Sequence, residues 1–235
     1  MQDGRQNLIV ALDLANGEKA RALVQQLGEN VVFYKVGKEL FTTEGPSFVR
    51  ELVANGKKVF LDLKFHDIPN TVAAAIRSAA SLRVSLLTVH AAGGSKMLKA
   101  AAEAAAQSES KPTVLAVTVL TSLDTEDLRE IGVAGEVEDQ VTRLAALALQ
   151  TGCGGIVASA QEAVHLRQTF GRSFTLVTPG IRPAGGAVDD QARVVTPENA
   201  MRAGANYLVV GRPITSASDP VEMAKMIVKQ IERAS

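Results

Sequence analysis

The sequence predicts a closed (β/α)8 barrel of the TIM type, an α/β fold, on three observations. Short apolar runs of strand length recur eight times, each followed by a segment of helical periodicity, and strict strand-helix alternation implies a parallel sheet. The eight units fill 235 residues without a Pro/Gly/Ser-rich linker or a low-complexity tract, near the ~250 residues usual for such barrels. Polar residues gather at the C-terminal ends of the runs, the rim where barrels carry their active sites. A single barrel domain over residues 1–235 is therefore expected.

The first run, residues 8–12, ends in Asp13. Asp13-Leu14-Ala15-Asn16-Gly17 follows it, and this lacks the Gly-x-Gly-x-x-Gly turn, so a dinucleotide fold is disfavoured, and an open doubly wound sheet is the fallback to the barrel. The second, 31–36, carries Lys35 at its end, and the third, 59–63, delivers Asp62 and Lys64 together, because strand residues two apart face the same way. Asp67 follows in the loop, and a helix begins near Pro69. The fourth run, 86–89, ends at His90; the fifth, 113–119, leads into Thr121 and Ser122; the sixth is 155–158. The seventh, 175–177, closes on Thr178-Pro179-Gly180-Ile181-Arg182-Pro183, and the eighth, 207–210, on Gly211-Arg212-Pro213. Helical spacing is read over 19–27, 46–55, 71–80, 96–107, 137–150, 161–170, 197–203 and 220–233.

Composition narrows the function. Apolar residues make up 46% of the chain but aromatics only 4%, with no Trp, so the core is built from Val, Leu, Ile and Ala, as buried parallel strands require. Twenty-five basic residues balance 25 acidic ones with no run of either sign, which leaves no footprint for nucleic acid or an anionic membrane. A small soluble ligand is expected instead. The lone Cys153 excludes an intrachain disulfide, no apolar run approaches a membrane span, and Met1-Gln2-Asp3-Gly4-Arg5 lacks a signal-peptide pattern, so a cytoplasmic location is expected. Cys153 lies between glycines with no evident base and reads as packing. Three histidines and one cysteine without ligand spacing argue against zinc, while residue types alone leave an Asp-bound magnesium open. His66 reads as structural, His90 as either pocket-lining or packing, and His165 as surface.

Two chemistries are legible at the rim. The loops after strands seven and eight each pair a Gly with an Arg, where barrels commonly hold a phosphate. The segment between Pro183 and Pro197, carrying Gln191, has the composition of a loop that closes over such a ligand. If Lys35, Asp62, Lys64 and Asp67 converge, each ion lowers the cost of burying its neighbour, an opposite pair at 4 Å being worth roughly 4 kcal/mol at an effective dielectric near 20. An ammonium so held is a proton donor rather than a nucleophile. That disfavours a Schiff-base aldolase and favours protonation of a carbanion, such as one left by decarboxylation.

These motifs resemble the orotidine 5'-phosphate decarboxylase family, in its pyrimidine-synthesis branch. The resemblance spans the chain through Ala11-Leu12-Asp13, Lys35-Val36-Gly37, Asp62 to Thr71, Val117 to Ser122, Pro179 to Arg182 and Gly211-Arg212-Pro213. It implies that Lys64 donates a proton to C6 of the pyrimidine, that Asp62 lies against the departing carboxylate, and that Lys35 and Asp67 complete the network. It also implies that Asp13 and Lys35 hold the ribose, that Thr121 and Ser122 meet the pyrimidine, and that Gln191, Arg182, Gly211 and Arg212 take the phosphate, with Pro179 among the substrate contacts. No metal or cofactor is implied. The partners implied are orotidine 5'-monophosphate and a second copy of the chain, with Asp67, Ile68 and Thr71 reaching into the partner's pocket. The rivals are a magnesium-dependent sugar-phosphate lyase, which Lys35 opposes by repelling the ion, and a non-catalytic phosphate-binding barrel.

Overall fold

A computed structural model describes residues 3–183 and 195–234. Its strands are β1 (Leu8–Ala11), β2 (Phe33–Gly37), β3 (Lys58–Phe65), β4 (Leu86–His90), β5 (Thr113–Val117), β6 (Gly155–Val157), β7 (Thr175–Thr178) and β8 (Tyr207–Val210). They pair in sequence order, all parallel, and β1 pairs with β8 to close the barrel. The helices are α1 (Gly17–Leu27), α2 (Lys38–Ala54), α3 (Pro69–Ala80), α4 (Gly94–Ala106), α5 (Thr125–Glu130), α6 (Val137–Gln150), α7 (Ala160–Phe170), α8 (Pro197–Arg202), α9 (Arg212–Thr215) and α10 (Pro220–Glu232).

Strand alternation divides the apolar residues between two environments. Ile9, Phe33, Phe60, Leu86, Leu115, Val177 and Val209 point inward and plug the barrel. Leu8, Val10, Tyr34, Val36, Val59, Leu61, Leu87 and Val89 point outward against the helices. The terminal helix shows how a helix meets that outer layer: Asp219 accepts from the amides of Val221 and Glu222, Pro220 opens the first turn, and Ala224, Ile227, Val228 and Ile231 form the buried stripe. Among the described residues no helix is long and apolar enough to cross a membrane.

Three details depart from the periodicity. Helix α2 begins at Lys38 rather than Pro46, because a first helical stretch ends where Gly45 takes φ 67° and Pro46 starts the second. Helices α5 and α9 interrupt the expected loops after β5 and β8, and at six and four residues they are too short for a 3.6-residue period to register. Helix α5 is instead specified by its cap, Asp124 accepting from the amides of Glu126 and Asp127 while Asp127 accepts from that of Asp124. Strand β3 runs on to Phe65, past the expected end at residue 63.

Candidate active site

One pleat above the apolar plug, the same inward parity brings up Ala11, Lys35, Asp62, Thr88 and Val117. The plug is therefore roofed by polar groups on β2, β3 and β4. Lys35 Nζ lies 2.8 Å from Asp13 Oδ1 and 3.6 Å from Asp62 Oδ2, and Lys64 Nζ lies 2.8 Å from Asp62 Oδ1. The result is an alternating chain, Asp13–Lys35–Asp62–Lys64, with both Asp62 oxygens engaged by ammonium groups. The Asp62 side chain is 13% exposed and that of Asp13 58%, so the array runs from solvent into the barrel.

Lys64 does not reach Asp62 by simple strand alternation. The pairing of β3 with β4 matches Leu61 with Leu87 and then Phe65 with Val89, so two extra β3 residues bulge out between them. Within that bulge Lys64 adopts φ 51°, a left-handed conformation costing on the order of 1–3 kcal/mol for a residue with a Cβ. The strain sits at the residue whose ammonium crowns the array.

Burial alone would raise the Asp62 carboxyl, but the charges of Lys35 and Lys64, with hydrogen bonds from Lys64 and Thr88, outweigh it and hold the group below the usual carboxylate range. A carboxyl depressed in this way stabilises the fold above its unfolded value of 3.8, and that contribution fades as pH falls through the lower folded value. The difference in urea unfolding free energy between wild type and Asp62→Asn is expected to stay constant from neutral pH down to about 5 and to shrink only below about 4. A difference that already shrinks near pH 6 would contradict the assigned direction.

Two hollows open from the array. The first, about 240 Å³, is lined by Lys35, Asp62 and Lys64 on one side, by Thr121, Ser122 and Pro179 on another, and by Phe60, Val117 and Val209. The second, about 330 Å³, is lined by Asp13, Gly180, Arg182, Gly211 and Arg212. They share Lys35, Pro179 and Val209 as a common wall. Arg182 is buried and donates to its neighbour's carbonyl, that of Ile181, at 3.0 Å, whereas Arg212 stands exposed at the end of β8. Gly180 needs to be glycine, since its φ is 78°. Gly37 leaves room for the ion pair: a Cβ there would stand 2.9 Å from an Asp13 oxygen and 3.0 Å from the Lys35 ammonium, the movable ends of both side chains. Gly37→Ala is expected to lower kcat/KM about tenfold by pushing that ion pair apart, with the fold kept, as read by steady-state kinetics and thermal unfolding.

Within one chain the array ends on Asp13, not on Asp67. Asp67 does not join Lys64 within the chain; it is exposed, its carboxylate accepts from the Ile68 amide at 2.6 Å, and Asp13 supplies the fourth charge. The physical reason is the bulge, which carries Asp67 beyond β3 and out over the rim. Ile68, 67% exposed, and Thr71 lie outside both hollows with it. Gln191 and most of the 183–197 segment lie outside the described residues. His90 stacks on His66 at 5.3 Å between centroids, and burial foremost, then electrostatic repulsion from His66, Lys64 and Lys38, holds it below the ordinary histidine range. Neither histidine lines a hollow. Burial pushes the Cys153 thiol up to about 11, consistent with a packing residue. Among the described residues no group of three His, Cys, Asp or Glu side chains is placed to hold a metal ion.

Sequence reasoning missed Thr88. Its hydroxyl donates to Asp62 Oδ1 at 3.1 Å and accepts from the Lys64 amide at 2.8 Å. The available signal was one hydroxyl in the apolar run Leu86-Leu87-Thr88-Val89, on the inward parity of Leu86.

Comparison with known proteins agrees with the barrel fold. Residues 6–227 match the model of the orotidine 5'-phosphate decarboxylase / HUMPS family. A protein of Nitrosococcus oceani named orotidine 5'-phosphate decarboxylase is 55% identical, over 97% of this chain and 98% of its own. One of the same name from Escherichia coli is 48% identical over 97% and 94%. The crystal structure of orotidine 5'-phosphate decarboxylase from Lactobacillus acidophilus superposes with a TM-score of 0.86 at 41% identity, covering 96% of this chain and 99% of that one. A barrel rim with this charge array, matched along almost its whole length, identifies the chain as a member of the orotidine 5'-phosphate decarboxylase / HUMPS family.

Proposed function

We propose that the chain, a single barrel domain over residues 1–235, decarboxylates orotidine 5'-monophosphate to UMP and carbon dioxide in pyrimidine biosynthesis, without metal or cofactor. The observation that carries the reading is the alternating array Asp13–Lys35–Asp62–Lys64, open to one hollow and sharing a wall with a second that bears Arg182 and Arg212. The names of the relatives support the activity. The phosphate lies between Arg182, Gly211 and Arg212, with Gln191 proposed as a further phosphate-binding residue. The ribose lies against Asp13 and Lys35, and the pyrimidine against Thr121, Ser122 and Pro179.

In this orientation the C6 carboxylate approaches Asp62, a repulsion relieved as carbon dioxide leaves. The C6–carboxyl bond breaks with its electron pair retained on C6, and the carbanion takes a proton from Lys64 Nζ. Lys64 then regains a proton from solvent. Both oxygens of Asp62 are already paired with ammonium groups, an arrangement that competes with a divalent cation and supports metal-independent chemistry.

The working unit is a cytoplasmic homodimer whose sites are completed by Asp67, Ile68 and Thr71 of the second copy, a role their exposure in one chain supports. Mixing inactive Lys64→Ala and Asp67→Ala chains is then expected to restore about a quarter of wild-type activity, since half the dimers are mixed and each carries one intact site. No restoration would place Asp67 in its own chain's site. The activity itself is tested by incubating the protein with orotidine 5'-monophosphate and a chelator while following substrate absorbance and carbon dioxide release. Stoichiometric release supports the reading. Turnover that disappears with the chelator and returns with magnesium would replace it with a metal-dependent lyase.

A further inference from the structure

The geometry points to Thr88 as a positioning residue that fixes the Asp62–Lys64 pair, an inference that rests on the decarboxylase reading of the site. Thr88 is the one residue of β4 facing the β3 bulge, since Leu87 pairs with Leu61 and Val89 with Phe65. Its own backbone stays in register with Leu115 of β5, so it is a fixed point beside a distorted strand. A bulge leaves ladder groups without their usual partners. Here the Lys64 amide donates to the Thr88 hydroxyl at 2.8 Å, and that hydroxyl donates onward to Asp62 Oδ1 at 3.1 Å.

The same Asp62 oxygen receives the Lys64 ammonium at 2.8 Å. One fully buried hydroxyl therefore ties the backbone of the proton donor, in its left-handed conformation, to the carboxylate its side chain pairs with. Valine, of the same shape, could neither accept from the amide nor donate to the carboxylate, and both groups would be left short of a partner in a site with little water. With that tie gone, nothing at β4 holds Lys64 at φ 51° or fixes the face that Asp62 presents. Thr88 borders neither hollow, so the effect falls on the reacting geometry and leaves the grip on substrate intact.

The test compares Thr88→Val and Thr88→Ser with wild type. We expect Thr88→Val to lower kcat about 10- to 100-fold with KM within about twofold, and Thr88→Ser, which keeps the hydroxyl, to stay within about threefold of wild type in kcat. Thr88→Ala, also without a hydroxyl and free of overpacking, is held to the Thr88→Val numbers if the valine variant does not fold. A structural arm needs no turnover: in a crystal structure of the hydroxyl-less variant the Lys64 ammonium is expected to lie beyond about 3.5 Å from Asp62. An unchanged kcat, an equal loss in Thr88→Ser, a loss confined to KM, or a retained Asp62–Lys64 contact would each overturn the proposal. Failure of the wild-type chain to decarboxylate orotidine 5'-monophosphate would instead overturn the decarboxylase reading, with the structural arm still deciding the role of Thr88.

Discussion

Lys64→Ala is expected to lower kcat by about 10³-fold or more while the barrel stays folded, because the proposed proton donor is lost and the plug beneath it is untouched. Ile9, Phe33, Phe60, Leu86, Leu115, Val177 and Val209 pack one pleat below Lys64 and make the barrel interior without it. Single-turnover kinetics beside circular dichroism check both halves of the statement. Turnover near wild type would remove Lys64 from the chemistry. The backbone supplies a second, independent readout. At φ 51° alanine retains the left-handed penalty and glycine does not, so Lys64→Gly should be more stable than Lys64→Ala by about 1 kcal/mol, the reverse of the usual order. Equal stabilities would mean that the bulge stores no strain at this residue.

Arg212→Ala is expected to lower kcat/KM about 100- to 1,000-fold although the proposed chemistry lies in the other hollow, because the proposed phosphate grip would supply binding energy realised in the transition state. Arg212 lines the second hollow with Arg182 and Gly211, separated from Lys64 by the shared wall of Lys35, Pro179 and Val209. Two controls make the cause visible. Arg212→Lys keeps the charge but loses the two-pronged fork, and should retain an intermediate efficiency. On orotidine, which lacks the phosphate, wild type and Arg212→Ala should be nearly equal. A large difference on orotidine would mean that Arg212 shapes the barrel rim generally and does not act on phosphate.

The fold was legible because each strand carries its own evidence. Runs such as Leu8-Ile9-Val10-Ala11 and Leu86-Leu87-Thr88-Val89 are apolar on both faces, as strands between a packed barrel interior and a helical layer must be. Helices α5 and α9 were not legible, since four to six residues cannot display a helical period. At the site, the strand-end places of Asp13, Lys35, Asp62 and Lys64 and the alternation of the last three were legible, but the link from Lys35 to Asp13 and the bulge behind the Asp62–Lys64 contact were not. Counting residues along β3 assumes a regular strand, whereas the bulge between Leu61 and Phe65 turns Lys64 back onto Asp62 and carries Asp67 outward. Thr88 escaped for the complementary reason. Its meaning lies in what stands opposite it on β3, and pairing across strands is written in no single stretch of sequence.

The central claim is that Lys64 exchanges a proton with C6, and it can be tested on the product alone. A group that protonates C6 in the forward direction must also be able to remove that proton, so UMP incubated with the wild-type protein in deuterium oxide should slowly gain deuterium at C6. Proton magnetic resonance reads the loss of the C6–H signal. The account predicts exchange with wild type and none above background with Lys64→Ala. Equal exchange by the two proteins would contradict it and assign the proton transfer to another group.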